Sequence, residues 1–195
     1  MQKPVPRSEE RCELCNVVLG EGHRHLVERE TRRIVCACMA CALLFEAKTA
    51  RFALVPRDAT LISDFVLEDL QWESLGIPIS LAFFFHNSSM GKTIALYPSP
   101  GGATESLLPL DSWEQIVENN PVLKPMQPDV EALLANRLAA PHEYYIAPID
   151  RCYELVGIVR KYWQGFSGGE EVWKHMDEFF ARLRPQPATE ASVDA

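Results

Sequence analysis

The period of apolar positions changes along the chain, and each change predicts an element. Residues 25–34 (HLVERETRRI) predict two short strands around a turn at 30–32. Residues 51–56 (RFALVP) read as a strand. Residues 65–75 predict a short helix that Gly76 and Pro78 stop. Two apolar runs follow, 79–85 (ISLAFFF) and 93–97 (TIALY), flanking the turn 86–92 as a long-loop hairpin. Residues 98–103 (PSPGGA) then read as a loop.

The second half is predicted to be more helical. Asp111 with Glu114 three residues on forms a capping box for a helix that ends at Asn119. Pro128 in the first turn predicts a helix to about Leu138, with Val130, Leu133, Leu134 and Leu138 on one face. Residues 144–148 (YYIAP) predict a strand. Asp150 is placed as the cap of a helix running to about Trp163, and Ser167 as the cap of a last helix whose stripe is Val172, Trp173, Met176, Phe179, Phe180 and Leu183. The order gives an α+β fold: a cysteine-rich ribbon over 11–50, then an α+β domain over 51–183 with a small antiparallel sheet packed by about four helices. Residues 1–10 are expected as a flexible arm and 184–195 as a disordered tail.

Composition narrows the function classes. Apolar residues make up 47% of the 195, enough for a core, yet no apolar run approaches the length of a membrane span. The first residues, MQKPVPRSEE, lack the apolar core of a secretory signal, so a cytoplasmic protein is expected. The net charge of −8 argues against nucleic acid, whose phosphates need a basic face.

The cysteines change the picture most. Five of six lie in the first 41 residues as Cys12-x2-Cys15 and Cys36-x-Cys38-x2-Cys41. Without export, such density predicts a metal and not disulfides. Cys12, Cys15, Cys38 and Cys41 are the expected ligands, with Cys36 as a rival for Cys38. A zinc ion fits four thiolates at about 2.3 Å; a rubredoxin-type iron site uses the same set, although Asn16 and Ala42 stand where such knuckles carry glycine. Four thiolates close the shell, so the metal is structural or electron-carrying. His23 and His25 are read as partly exposed histidines of a short strand, with entry into the sulfur shell as the alternative.

Other candidates are weaker. Residues 88–93 (SSMGKT) resemble the end of a phosphate-binding loop, but His86 stands where glycine is needed and a strand, not a helix, follows. The loop 99–106 (SPGGATES) could bring Gly101, Gly102, Thr104 and Glu105 near His86 and Asn87 as a polar partner-binding surface. Cys152 reads as a buried core thiol. No catalytic set stands out.

Long phrases carry a resemblance: RCELC, HRHLVE and CACMACALLFE, then QWESLGIPISLAFFFHNS, ALYPSPGGATES, YYIAPIDRCYELVG and WQGFSGGEEVWKHMDEFFARL. Over about residues 11–183 the chain resembles an uncharacterised bacterial domain family encoded beside actinobacterial-type uptake nickel–iron hydrogenases and their maturation factors. The resemblance implies the five-cysteine pattern and no catalytic residue. It also implies a hydrogenase subunit or maturation factor as partner. Two functions follow: a non-catalytic accessory or assembly protein, or a small iron–thiolate electron carrier for a hydrogenase.

Overall fold

The computed structural model describes residues 9–48, 51–107, 110–165 and 167–185. The expected arm and tail fall almost wholly outside them. The N-terminal part is a hairpin, β1 (Arg24–Glu28) and β2 (Arg33–Ala37), followed by helix α1 (Met39–Lys48). Arg32, at φ 60°, turns the chain between the strands. Strand β3 (Phe52–Leu54) pairs with the other edge of β1, so this small sheet runs β2-β1-β3. The cysteine-rich module therefore recruits a strand from beyond residue 50.

The rest is one antiparallel sheet with helices on both faces. Strand β4 (Thr60–Leu61) precedes helix α2 (Asp69–Ser74); β5 (Leu81–Asn87), β6 (Lys92–Ser99) and β7 (Gly102–Ser106) form a meander. Helix α3 (Leu110–Asn119), strands β8 (Glu131–Asn136) and β9 (Glu143–Pro148), and helices α4 (Ile149–Tyr162) and α5 (Glu170–Leu183) complete it. The strand order is β4-β9-β8-β5-β6-β7. Alternate residues of β5 face opposite ways. Phe83 and Phe85 join Leu134, Tyr145, Leu155, Val159 and Phe179 under α4 and α5. Phe84 joins Leu133, Tyr144, Trp72, Trp113 and Ile116 under α2 and α3, stacked on the Trp113 ring at 5.1 Å. Burial on both faces is why residues 81–85 (LAFFF) read as an unbroken apolar run.

Two expectations are corrected. Residues 128–138 do not form a helix: residues 131–136 are strand β8, hydrogen-bonded between β5 and β9. Pairing on both edges and burial of Ala132, Leu133, Leu134 and Ala135 outweigh the helix propensity of alanine and leucine. Residues 102–106 are not loop but strand β7, paired along β6 after a tight turn in which Ser99 faces Gly102. The turn at 88–91 leads directly into β6, so no helix follows the SSMGKT phrase.

The cysteine module docks on the sheet's α4 side. Val27, Ala53 and Val55 are buried in the same core as Phe85 and Ile149. Asp129, 3% exposed, accepts from Arg29 Nη1 at 3.2 Å and from the Ser88 N–H at 2.8 Å. His25 Nδ1 meets Asp150 Oδ2 at 2.7 Å across the same seam.

Candidate metal centre

Two local devices bring four sulfurs together. The first is a knuckle. The Cys12 N–H donates to the Val17 carbonyl at 2.8 Å and the Asn16 N–H to the Cys12 carbonyl at 2.7 Å. The turn requires a left-handed residue after Cys15, and Asn16 supplies it at φ 64°. Asparagine tolerates that region better than other non-glycine residues, so it does here what glycine does elsewhere. The second device is a helix start. Cys38 precedes α1 and Cys41 lies in its first turn, where the Cys41 N–H points at Cys38 Sγ at 3.4 Å. Unsatisfied N–H groups and the helix dipole favour thiolates there.

The ligand atoms of Cys12, Cys15, Cys38 and Cys41 all lie within 4.8 Å of one another. Cys15 and Cys38 Sγ are 3.7 Å apart. A tetrahedron with metal–sulfur bonds of about 2.3 Å has edges of about 3.8 Å. The residues thus fit a tetrahedral thiophilic ion. Cys12 and Cys41 are buried, Cys38 half-buried and Cys15 exposed.

The thiols are unequal. Burial pushes Cys12 up, but N–H groups of Cys38, Leu14 and Cys15 and the Cys15 side chain outweigh it and bring the thiol down to about 6. Burial and then the neighbouring sulfurs of Cys15, Cys38 and Cys12 push Cys41 well above its ordinary value. The Val17 N–H lowers the Cys15 thiol, but contacts with Cys12 and Cys38 and burial raise it on balance. A metal therefore finds one ligand readily ionised and must displace protons from Cys15 and Cys41.

Cys36 does not join this set. It groups with His23 and His25. Cys152 is fully buried, and burial pushes its thiol up, as an inert core cysteine requires.

The six residues of the expected polar surface are spread along β5, β6 and β7. Asn87 faces Lys92 at one end of β6, and Gly102 faces Ser99 at the other. Seven residue-to-residue steps along the eight-residue β6 separate those ends by about 23 Å. His86 is in β5, and buried Asn87 uses Oδ1 to accept the Met90 N–H at 2.8 Å, closing its own turn. The Gly101 N–H donates to Ser99 Oγ at 3.2 Å and Thr104 Oγ1 to the same atom at 3.0 Å. Glu105 pairs with Lys92 at 3.7 Å and Arg32 at 3.9 Å. The antiparallel register of β7 on β6 holds Gly101 and Gly102 at the opposite end of β6 from Asn87, while the Glu105 side chain reaches back to Lys92.

What sequence reasoning missed is Asp150 as the partner of His25. The two are 125 residues apart, and no local signal links them.

Among the described residues, no helix is long and apolar enough to cross a membrane. The chain belongs to a family of unknown function, DUF5947, whose model matches residues 11–187. Neither a curated protein nor a solved structure matches it.

Proposed function

We propose that the protein is a cytoplasmic, non-catalytic accessory or assembly factor of a nickel–iron hydrogenase system, acting through protein contacts, with a structural Zn²⁺ held by Cys12, Cys15, Cys38 and Cys41. The observation that carries the structural role is the closed four-sulfur cluster at the joint of knuckle, hairpin and helix. Four protein ligands leave no position for substrate. The hydrogenase link rests on the resemblance of the long phrases.

Apolar side chains around the cluster support a contact role. Val17 and Val18 after the knuckle, and Met39, Leu43 and Leu44 on α1, are all exposed. We place the hydrogenase subunit or maturation factor against them. Strand β7, an edge of the six-stranded sheet carrying Gly102, Thr104 and Glu105, is the second contact. Deleting the gene should lower hydrogenase assembly or activity, and Leu43→Glu should fail to restore it while keeping its metal. Unchanged hydrogenase in the deletion strain, or turnover by the isolated protein, would overturn the reading.

One observation favours the alternative, an iron–thiolate electron carrier. Cys15 is exposed, so one edge of the cluster reaches the surface, as electron transfer needs. Stoichiometric iron and a red protein would decide for it; a colourless zinc protein decides against.

A further inference from the structure

Beside the four-sulfur cluster, the same hairpin brings a second donor set together. His23 and His25 are two residues apart, hence on one face, and Cys36 stands directly opposite His25 in the β1–β2 register. One ligand atom from each of the three lies within 4.8 Å of the others. The two rings meet edge to face, at 84° with centroids 4.8 Å apart.

Two features separate this set from chance neighbours. The His23 side chain is 12% exposed, and its Nε2 is buried with no hydrogen-bond partner. Its Nδ1 lies 3.3 Å from the Gly20 carbonyl, which fixes the ring so that Nε2 is the atom left over. His25 is the complement: Nδ1 is held by Asp150 Oδ2 at 2.7 Å, leaving Nε2 free. A carboxylate bonded to the far nitrogen is the arrangement that orients metal-binding imidazoles and raises their basicity.

We propose that His23, His25 and Cys36 hold a second divalent transition-metal ion, with Asp150 as the residue that positions His25. Two imidazoles and one thiolate are a borderline-soft set, which selects Zn²⁺ among the common biological cations. A tetrahedral shell of these donors has edges of about 3.4–3.6 Å, so the longest separation closes by up to about 1.4 Å on binding, within reach of side-chain rotations. Unlike the four-sulfur cluster, three protein donors leave one coordination position open. His23 and His25 also line a cavity of about 590 Å³ that extends to Asp150. The cavity's formal charges balance, Arg24, Arg57 and Arg151 against Asp58, Asp150 and Glu154, so it adds no net repulsion against a cation. This site stands on hairpin geometry and does not depend on the hydrogenase reading.

The full chain, stripped by chelator, is titrated with Co²⁺ while the visible spectrum is followed, and zinc is counted by elemental analysis. Two ions per chain are expected, one with the intense charge-transfer bands of four thiolates and one with the weaker band of a single thiolate. His23→Ala and Cys36→Ser should each reduce the count from two to one and leave the four-thiolate bands intact. Asp150→Asn should weaken the second ion by about 10–100-fold. If His23→Ala does not fold, the two near-isosteric changes at Cys36 and Asp150 carry the decision. A single ion in the wild type overturns the proposal. So does a second ion unaffected by these changes, or loss of the four-thiolate bands in Cys36→Ser.

Discussion

The cysteine module and the six-stranded sheet are built on different physics. The sheet buries side chains on both faces, each under its own pair of helices, with fully buried Phe83, Phe84, Leu133, Leu134 and Tyr145 at its centre. Such a core is stabilised by apolar area. The module's own core has seven buried residues, and two of them are the sulfur donors Cys12 and Cys41. Three of its large apolar side chains on α1 face solvent instead. The larger region folds by burial, whereas the smaller one, if its four cysteines hold the proposed ion, depends on that ion and on the seam it shares with α4.

The largest break in that comparison is removal of the metal. Structural zinc in small modules contributes on the order of 10–16 kcal/mol at neutral pH. Cys41→Ser, or exhaustive chelation, should unfold the module and leave the sheet. Hydrogen exchange should then show protection lost at 24–37 and kept at 81–87 and 131–136. Simultaneous loss in all three would mean that the regions are one cooperative unit.

The converse break is in the sheet. Phe84→Ala removes a fully buried ring packed between Trp72 and Trp113, at an expected cost of about 3–5 kcal/mol. Urea unfolding should record that loss while metal stoichiometry stays at the wild-type value. Metal lost in proportion would show that the module leans on the sheet core.

The same contrast explains what was legible in the sequence. The hairpin 25–34 and the pairs Cys12-x2-Cys15 and Cys38-x2-Cys41 are local signals, and they place β1, β2 and the four sulfurs correctly. Strand β8 was not legible, because VEALLANRL carries helix-forming residues at helical spacing; only the neighbours β5 and β9, distant in sequence, make it a strand. Strand β7 hid behind its glycines, which serve the turn and not a loop: Gly102 sits at φ 118°. The separation of Cys36 from Cys38 was legible in principle. Once Glu28 faces Arg33 across the turn, the register sets Cys36 against His25.

Acidity sharpens the metal dependence of the module. Bound thiols must be ionised, so metal binding releases protons and acid opposes it. Burial holds Cys41 protonated at neutral pH, and Cys15 keeps its proton too, since the Val17 N–H that lowers it is outweighed by contacts with Cys12 and Cys38 and by burial, so apparent affinity should fall by about a hundredfold per pH unit for those two protons. Cys12 ionises at about 6, so below that pH a further proton competes and the slope steepens. Competition titrations with a chromophoric chelator across that pH would show the change in slope. A flat profile would mean that these thiols are already ionised in the metal-free protein.

The smallest effect tests whether the knuckle's turn or its side chain matters. Asn16 occupies φ 64°, where a Cβ is disfavoured but asparagine is tolerated. Asn16→Gly keeps that conformation accessible, although it loosens the unfolded chain. Asn16→Ala keeps the Cβ and removes the amide that makes the left-handed region tolerable, for a cost of about 1 kcal/mol. Because the knuckle must form before Cys12 and Cys15 face the ion, the cost should be read as metal affinity about fivefold weaker in Asn16→Ala than in Asn16→Gly. The sheet, which shares no hydrogen bond with this turn among the described residues, should keep its urea midpoint in both variants. Equal weakening by glycine and alanine would show that the asparagine side chain, and not its backbone angle, sets the geometry of the first two sulfurs.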